Sequence, residues 1–282
     1  MNQKETKKIM LFSDLDGTAL QSDHTFNQVT IDMVKDVYDK GHYFIPITAR
    51  STKDAIFQQA VNLNIDKHQG IAIANNGTHI YDFKTQTYIR EAYIDNTMLE
   101  NIFKTTYGKI GKYKVHYFSN DITYVYGDGE NSRYWSDIMN IDYKVISSFE
   151  EIETPVNHLT IILADNATDE QRTEFLEEFA FVKTQLDITQ YTNRVFELCT
   201  KGINKGEAVQ YTLKHLGLDE SNSDVYCFGD SVNDIPMFKM TQYPVAMNNA
   251  MEELKQLAKF HTSSNNEHGV ANFINQNILR EE

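Results

Sequence analysis

Cysteine is nearly absent: of 282 residues only Cys199 and Cys227 are cysteines. Each sits in an apolar stretch, Val-Phe-Glu-Leu-Cys and Asp-Val-Tyr-Cys-Phe, without a Cys-x-x-Cys pair or a zinc-ligand spacing. A disulfide framework is excluded, and both thiols are expected to be small buried hydrophobes. Proline is scarce as well, and no Pro-rich linker, low-complexity tract or internal repeat interrupts the chain. No run approaches the ~20 apolar residues that span a bilayer. The N-terminal Met-Asn-Gln-Lys-Glu-Thr-Lys-Lys is too polar for a signal peptide. A cytoplasmic protein with no membrane partner is expected.

Positive charge is the third deficit. Lys and Arg number 26 against 40 Asp and Glu, a formal net charge of −14. Such a field repels polyanions, and beyond Lys4, Lys7 and Lys8 no basic cluster exists to release counterions, so no nucleic-acid partner is expected. A small anionic ligand would have to be held by local devices: a metal ion, a few donors or a helix N-terminus. Apolar residues make up 41% and charged residues 23%, the balance of a globular protein. The length corresponds to about two domains or one large one.

What is present is an alternation of strand and helix. Ile9 to Ser13 reads as a buried strand, Ile31 to Tyr38 as a helix stopped at Gly41, and Tyr43 to Thr48 as the next strand. Thr52 to Val61 is helical and Gly70 to Ala74 another strand. That order predicts a parallel, doubly wound sheet with right-handed crossovers. The same grammar returns near the C-terminus: a helix over Lys205 to Leu216, a strand over Asp224 to Phe228, then helix, strand and two helices to Ile278. Between them the pattern turns antiparallel, with a hairpin over Tyr113–Phe118 and Ile122–Tyr126 and further strands at His158–Ala164 and Val195–Cys199. Helices are expected at Asn96–Tyr107, Glu130–Met139 and Thr168–Phe179. The middle thus reads as an α+β module inserted into an α/β domain.

Chemistry gathers at the strand ends. Asp14 and Asp16 close the first strand two residues apart, so an extended backbone would project both carboxylates from one face. Gly17 then lets the chain turn. Two such carboxylates repel unless one takes a proton or a hard cation such as Mg²⁺ is shared. A calcium loop is excluded, because Ala19 and Thr25 stand where its glycine and bidentate Glu belong. Gly229-Asp230-Ser231-Val232-Asn233-Asp234 again ends an apolar strand; alone, its Asp and Asn are equally well helix caps. Pro46-Ile47-Thr48-Ala49-Arg50 places a hydroxyl and backbone N–H groups where they can hold phosphate oxygens. Lys205 opens a helix, where a cation opposes the dipole and reads either as surface charge or as the partner of a nearby anion.

Asp-Leu-Asp-Gly-Thr, Ile-Thr-Ala-Arg, Asn-Lys-Gly and Gly-Asp-Ser-Val-Asn-Asp, in that order, resemble the four motifs of the haloacid dehalogenase-like hydrolases, and most closely the Cof-type sugar-phosphatase branch. The likeness extends to Asn75-Asn76-Gly77, Val245 to Ala250 and His268 to Ala271. Ala49, Ala19 and Asn248 depart from the branch's usual residues without removing a catalytic group. The long stretch from Arg50 to Lys205, against one helix's length from Leu20 to Pro46, implies the second type of cap, an α+β lid. The implied organisation is a Rossmann-like α/β core over residues 1–83 and 194–282 with a cap over 84–193.

The resemblance further implies an Mg²⁺-dependent phosphatase of small phosphorylated metabolites, sugar phosphates foremost, acting through an aspartyl-phosphate. Asp14 is then the nucleophile and Asp16 the acid and base. The metal would take the Asp14 carboxylate, the Asp16 backbone carbonyl and Asp230, with Asp234 orienting its water. Thr48 and Lys205 would serve catalysis, and with Ala49, Arg50, Asn76 and Asn233 would bind substrate. A phosphotransferase or mutase using the same intermediate, and a phosphate-binding regulatory protein, remain alternatives. A monomer or weak dimer is expected. His116, Tyr117, Tyr124, Arg133 and Trp135 are candidates for contact with a leaving group or for the cap's own core, and His158 reads as structural.

Overall fold

A computed structural model describes residues 7–50, 53–129 and 142–280. The chain divides into two compact units. One takes the chain through Arg50, Asp54–Glu91 and everything from Asn204; the other contains Ala92–Ile203. The first unit begins with β1 (Lys8–Ser13), β2 (Tyr43–Pro46), β3 (Ile71–Ala74), β4 (His79–Asp82) and β5 (Thr87–Glu91). The second holds β6 (Tyr113–Phe118), β7 (Thr123–Tyr126), β8 (Tyr143–Val145), β9 (His158–Leu163), β10 (Leu186–Gln190) and β11 (Val195–Thr200). The chain then returns to the first unit with β12 (Ser223–Gly229), β13 (Tyr243–Ala246) and β14 (Phe260–His261).

The first unit is built on a parallel sheet in the order β14-β13-β12-β1-β2. Its strands are apolar runs because both faces are covered: Met10, Leu11 and Phe12 of β1 are wholly buried. Each such side chain contributes roughly 1.5–3 kcal/mol through burial. The helix over Gln28–Asp39 buries Thr30, Met33, Val34 and Val37, one stripe at helical spacing, and Asn27 caps it by accepting the Val29 N–H. Gly41, at φ +76°, ends it as expected. A parallel bridge from Ile47 to Ile73 joins this sheet to the antiparallel set β3-β4-β5.

The second unit is a six-stranded sheet, β10-β11-β9-β6-β7-β8, antiparallel except where β8 runs parallel to β7. Tyr113, Val115 and Tyr117 of β6 point with Leu159, Ile161, Phe196 and Leu198 into a core shared with the helices Asn96–Thr106 and Asp169–Glu178. Tyr117 and Tyr124 are therefore core residues. His116, Phe118, His158 and Thr160 occupy the opposite face and are buried too. The His158 ring stacks on Phe118 with centroids 4.3 Å apart. Arg133, Trp135 and the helix expected over Glu130–Met139 lie outside the described residues.

Both unit boundaries lie about ten residues beyond those expected from the sequence. Residues 84–91 belong with the core because β5 pairs with β4, which pairs with β3. Residues 194–203 belong to the inserted unit because β11 lies between β9 and β10. Hydrogen-bonded register, which no composition shift announces, sets both limits. Both cysteines are free and buried, and among the described residues no helix is long and apolar enough to cross a membrane.

Burial holds the His116 imidazole down to about 4, the nearby Asp128 charge working against that shift. A histidine held below its unfolded value of about 6.5 contributes its stability in full above that pH and loses it as pH falls towards the folded value. In urea unfolding across pH 7 to 4, the wild-type protein should lose up to roughly 3 kcal/mol more than His116→Asn. Parallel losses in the two proteins would contradict this account of His116.

Candidate active site

In a parallel sheet, ligands bind beyond the carboxyl ends of the strands, where the connections diverge to either side. Here that point lies between β1 and β12. Asp14 follows β1 directly and its N–H donates to the Phe228 carbonyl of β12 at 3.0 Å. The chain then leaves the extended conformation: the Ala19 and Leu20 N–H groups reach back to the Asp14 and Leu15 carbonyls at 3.2 and 2.8 Å. Gly17 takes φ +78°, and a Cβ there would fall 2.5 Å from Asp230 Oδ2. Glycine is thus required twice over, by its conformation and by its contact.

Lys205 is wholly buried. Its ammonium donates to Asp14 Oδ1 and, at 2.7 Å, to Asp234 Oδ1. The anions that oppose the unfavourable helix dipole at Lys205 are therefore two carboxylates of the protein itself. Asn204 caps the same helix by accepting the Gly206 and Glu207 N–H groups. Asp234 Oδ2 accepts the backbone N–H groups of Asp230 and Ser231 at 2.9 and 3.0 Å, folding the turn after β12 around itself. Thr18 donates its hydroxyl to Asp230 Oδ1 at 2.9 Å. One carboxylate oxygen from each of Asp14, Asp230 and Asp234 lies within 4.8 Å of the others.

The electrostatics follow from that crowding. Burial raises the Asp14 carboxyl well above the usual range, with Asp234 and Asp230 adding repulsion and Lys205 pulling it down. Burial and Asp234 push Asp230 up to about 6. Burial would lower Lys205, but Asp14 and Asp234 outweigh it and hold the ammonium above its ordinary value. Two buried carboxylates and the half-buried Asp230 gather beside a single ammonium, and hard oxygen donors at this spacing fit a divalent cation.

The Asp16 carboxylate stands apart from this group. Gly17, at φ +78°, turns the chain directly after Asp16, and the Asp16 side chain meets partners other than those of the cluster. Arg50 grips it through Nε at 2.8 Å and Nη2 at 2.6 Å, and His24 Nδ1 lies 3.0 Å from Oδ1. Burial would raise the Asp16 carboxyl, but the Arg50 hydrogen bonds and charge, aided by His24, bring it below its ordinary value. Of Asp16, only the backbone carbonyl is then left to serve as a metal ligand.

The turns after β2 and β3 form one frame. Thr48 is buried; its N–H donates to the Ile73 carbonyl, and its Oγ1 accepts the Arg50 N–H at 3.1 Å. The Asn76 N–H donates to the Thr48 carbonyl and the Asn75 N–H to that of Arg50, both at 2.9 Å. Ala49 is half-buried between Thr48 and Arg50. Asn233 donates its amide to Asn76 Oδ1 at 3.0 Å, which links this frame to the turn after β12. Thr18, His24 and Asn249, which donates to the Gly17 carbonyl at 2.7 Å, escaped the sequence reading. Asn75 did as well: its carboxamide is buried with no hydrogen-bond partner among the described residues. Thr18, Asn75 and Asn249 lie within the motifs quoted above but carried no assigned role, and the contacts of Thr18, His24 and Asn249 are with residues that local sequence does not name.

A parallel sheet with carboxylates at the ends of adjacent strands and a buried lysine from a helix start defines an α/β fold with a charged site at its carboxyl edge. Residues 11–274 match the model of the haloacid dehalogenase-like hydrolases, and the chain belongs to that family, as a phosphatase of its Cof-type branch. It is 26% identical over 282 residues to the 5-amino-6-(5-phospho-D-ribitylamino)uracil phosphatase YwtE of Bacillus subtilis, covering 93% of this chain and 96% of that one. It is 27% identical over 278 residues to YcsE of the same organism and the same named activity, covering 98% and 99%. Among solved structures, a haloacid dehalogenase-like hydrolase from Bacteroides thetaiotaomicron superimposes with a TM-score of 0.82 at 19% identity, over 96% of this chain and 99% of that one. The subclass IIB sugar phosphatase BT4131 does so with a TM-score of 0.78 at 21% identity, over 97% and 100%.

Removing the central ammonium strands the carboxylates it neutralises. Lys205→Met should cost about 3–5 kcal/mol in urea unfolding at neutral pH in metal-free buffer, and the cost should shrink as acid protonates Asp14. A pH-independent loss, or none, would mean that the ammonium does not hold this cluster together.

Proposed function

We propose that the protein is an Mg²⁺-dependent phosphatase acting on phosphate monoesters of sugars or related polyhydroxylated metabolites through an aspartyl-phosphate on Asp14. The observation that carries this reading is the buried Asp14 carboxylate, fixed by Lys205 at the end of β1 beside Asp230 and Asp234. The relatives' named substrates support it, since BT4131 is a sugar phosphatase and YwtE acts on a phosphorylated ribityl compound.

In the first step an Asp14 oxygen forms a bond to phosphorus as the bond from phosphorus to the ester oxygen breaks in line with it. Asp16 supplies the proton that the leaving oxygen takes. In the second step water attacks the same phosphorus, Asp16 accepts its proton, and the bond between Asp14 and phosphorus breaks to release inorganic phosphate. Asp14, Asp230 and the Asp16 carbonyl would hold Mg²⁺, with Asp234 beside them, and the ion would supply charge neutralisation at the phosphoryl oxygens.

The remaining donors have distinct roles. Lys205 draws Asp14 towards its ionised form, against the effect of burial, and aims it while adding positive charge beside the incoming phosphate. Thr48 and Asn233 contribute donors, and Asn76 and the Ala49 region shape the frame around them. Arg50, read from sequence as a substrate ligand, is assigned instead to holding the Asp16 carboxylate, because both of its contacts there are already made. That grip favours the ionised form needed for the water-activating step. Proton donation to the leaving group then requires the grip to relax, which an arriving phosphate dianion would promote by competing for the guanidinium.

Asp14→Asn should remain folded by circular dichroism yet release no phosphate from sugar phosphates. The wild-type protein should lose activity in chelator and regain it on addition of Mg²⁺. More than trace turnover by Asp14→Asn, with deamidation excluded by mass spectrometry, would assign the attack to another group.

A further inference from the structure

Beyond the catalytic residues, the segment after β13 is joined to both carboxylate-bearing turns. On one side the Met251 N–H donates to the Asp230 carbonyl at 2.9 Å and the Met247 N–H to that of Gly229 at 3.2 Å. On the other, Asn249 Nδ2 donates to the Gly17 carbonyl at 2.7 Å. The orientation of that amide is fixed, because Asn249 Oδ1 accepts the Asn265 N–H at 3.0 Å and leaves only Nδ2 to face Gly17. Asn265 is itself buried and donates its amide to the Leu20 carbonyl at 3.0 Å.

Asn265 is held in turn by a tight loop. Ser264 and Glu267 close a capping box around it, His268 takes φ +60°, and a Cβ on Gly269 would come within 2.0 Å of the Ser263 carbonyl oxygen. Gly17 is the residue whose missing side chain lets the Asp14 turn meet Asp230, and the next residue, Thr18, bonds Asp230 Oδ1. Fixing the Gly17 carbonyl therefore fixes the peptide from which Thr18 reaches the Asp230 carboxylate.

We infer that Asn249, oriented by Asn265, is a positioning residue that sets the separation of the Asp14 and Asp230 turns and thereby the affinity of the site for a divalent cation. This rests on reading Asp14 and Asp230 as metal ligands. Asn249 touches neither carboxylate; it acts through Gly17 and Thr18. Outer partners of this kind typically change metal affinity by about 10–100-fold when removed. Asn249 is exposed, so its truncation opens no cavity in the core.

Asn266 provides the comparison. It also makes two hydrogen bonds, accepting the Ser22 N–H and donating to Ser22 Oγ, both at 2.9 Å, but its hold lies beyond the Gly17 turn. Mg²⁺ is titrated calorimetrically into the substrate-free full-length protein, and the Mg²⁺-induced shift in Tm is measured alongside. Asn249→Ala should raise the Kd for Mg²⁺ about tenfold or more, whereas Asn266→Ala should change it by less than about twofold. Asn249→Ser carries the same expectation should the alanine protein not fold. Equal weakening by both variants, or an unchanged Kd in Asn249→Ala, would reduce Asn249 to a general support of the fold and overturn the inference. A wild-type protein that binds no Mg²⁺ would instead refute the metal reading itself, and the inference with it.

Discussion

The Lys205 ammonium, buried without solvent contact between Asp14 and Asp234, is the interaction on which the carboxyl edge of the parallel sheet depends. Asp14 and Asp234 are buried and Asp230 half-buried with one oxygen from each within 4.8 Å of the others, a crowding that a buried cation relieves. The ammonium belongs to a helix that starts at Lys205 itself, so its position is set by backbone and by the Asn204 cap rather than by a flexible loop. Asp14 is tied to β12 through its own N–H, and Asp234 to the turn after β12 through its carboxylate. Charge compensation and strand pairing thus fix the same few atoms.

The cluster and the Asp16 carboxylate occupy different electrostatic settings, although only Leu15 separates Asp14 from Asp16. Burial and mutual repulsion raise Asp14 and Asp230, whereas the Arg50 fork outweighs burial at Asp16 and lowers it. The two carboxylates thus differ in their surroundings, Asp14 beside an ammonium and two further carboxylates, Asp16 in the fork of a guanidinium. Backbone hydrogen bonds from Asn75 and Asn76 to Arg50 and Thr48 extend the same frame to the third strand end.

Much of this was legible in the sequence because the chemistry sits at strand ends, where apolar runs give way abruptly to Asp, Thr and Gly. Asp14, Thr48 and Asp230 stand at such ends, and of the two readings open for Lys205 at its helix start, surface charge or partner of an anion, the structure shows the second, with Asp14 and Asp234 as the anions. The partners of the Asp16 carboxylate were not legible, since Arg50 and His24 reach it from elsewhere in the chain. Nor was the use of Arg50, His24 and Asn249, each of which acts on a residue far away in sequence. The unit limits at Glu91 and Asn204 were missed because β5 is short and half-exposed and β11 continues the apolar character of its neighbours.

The central claim is that Asp14 attacks phosphorus, and trapping the covalent intermediate tests it most directly. Wild-type protein turning over a phosphorylated sugar in Mg²⁺ is quenched in acid, digested and analysed by mass spectrometry. The account predicts one added phosphoryl group on the peptide containing Asp14, absent from Asp14→Asn, with Asp16→Ala accumulating it on a substrate whose leaving group needs no proton. A phosphoryl group on any other residue, or rapid phosphate release with no phosphorylated peptide even in Asp16→Ala, would contradict it.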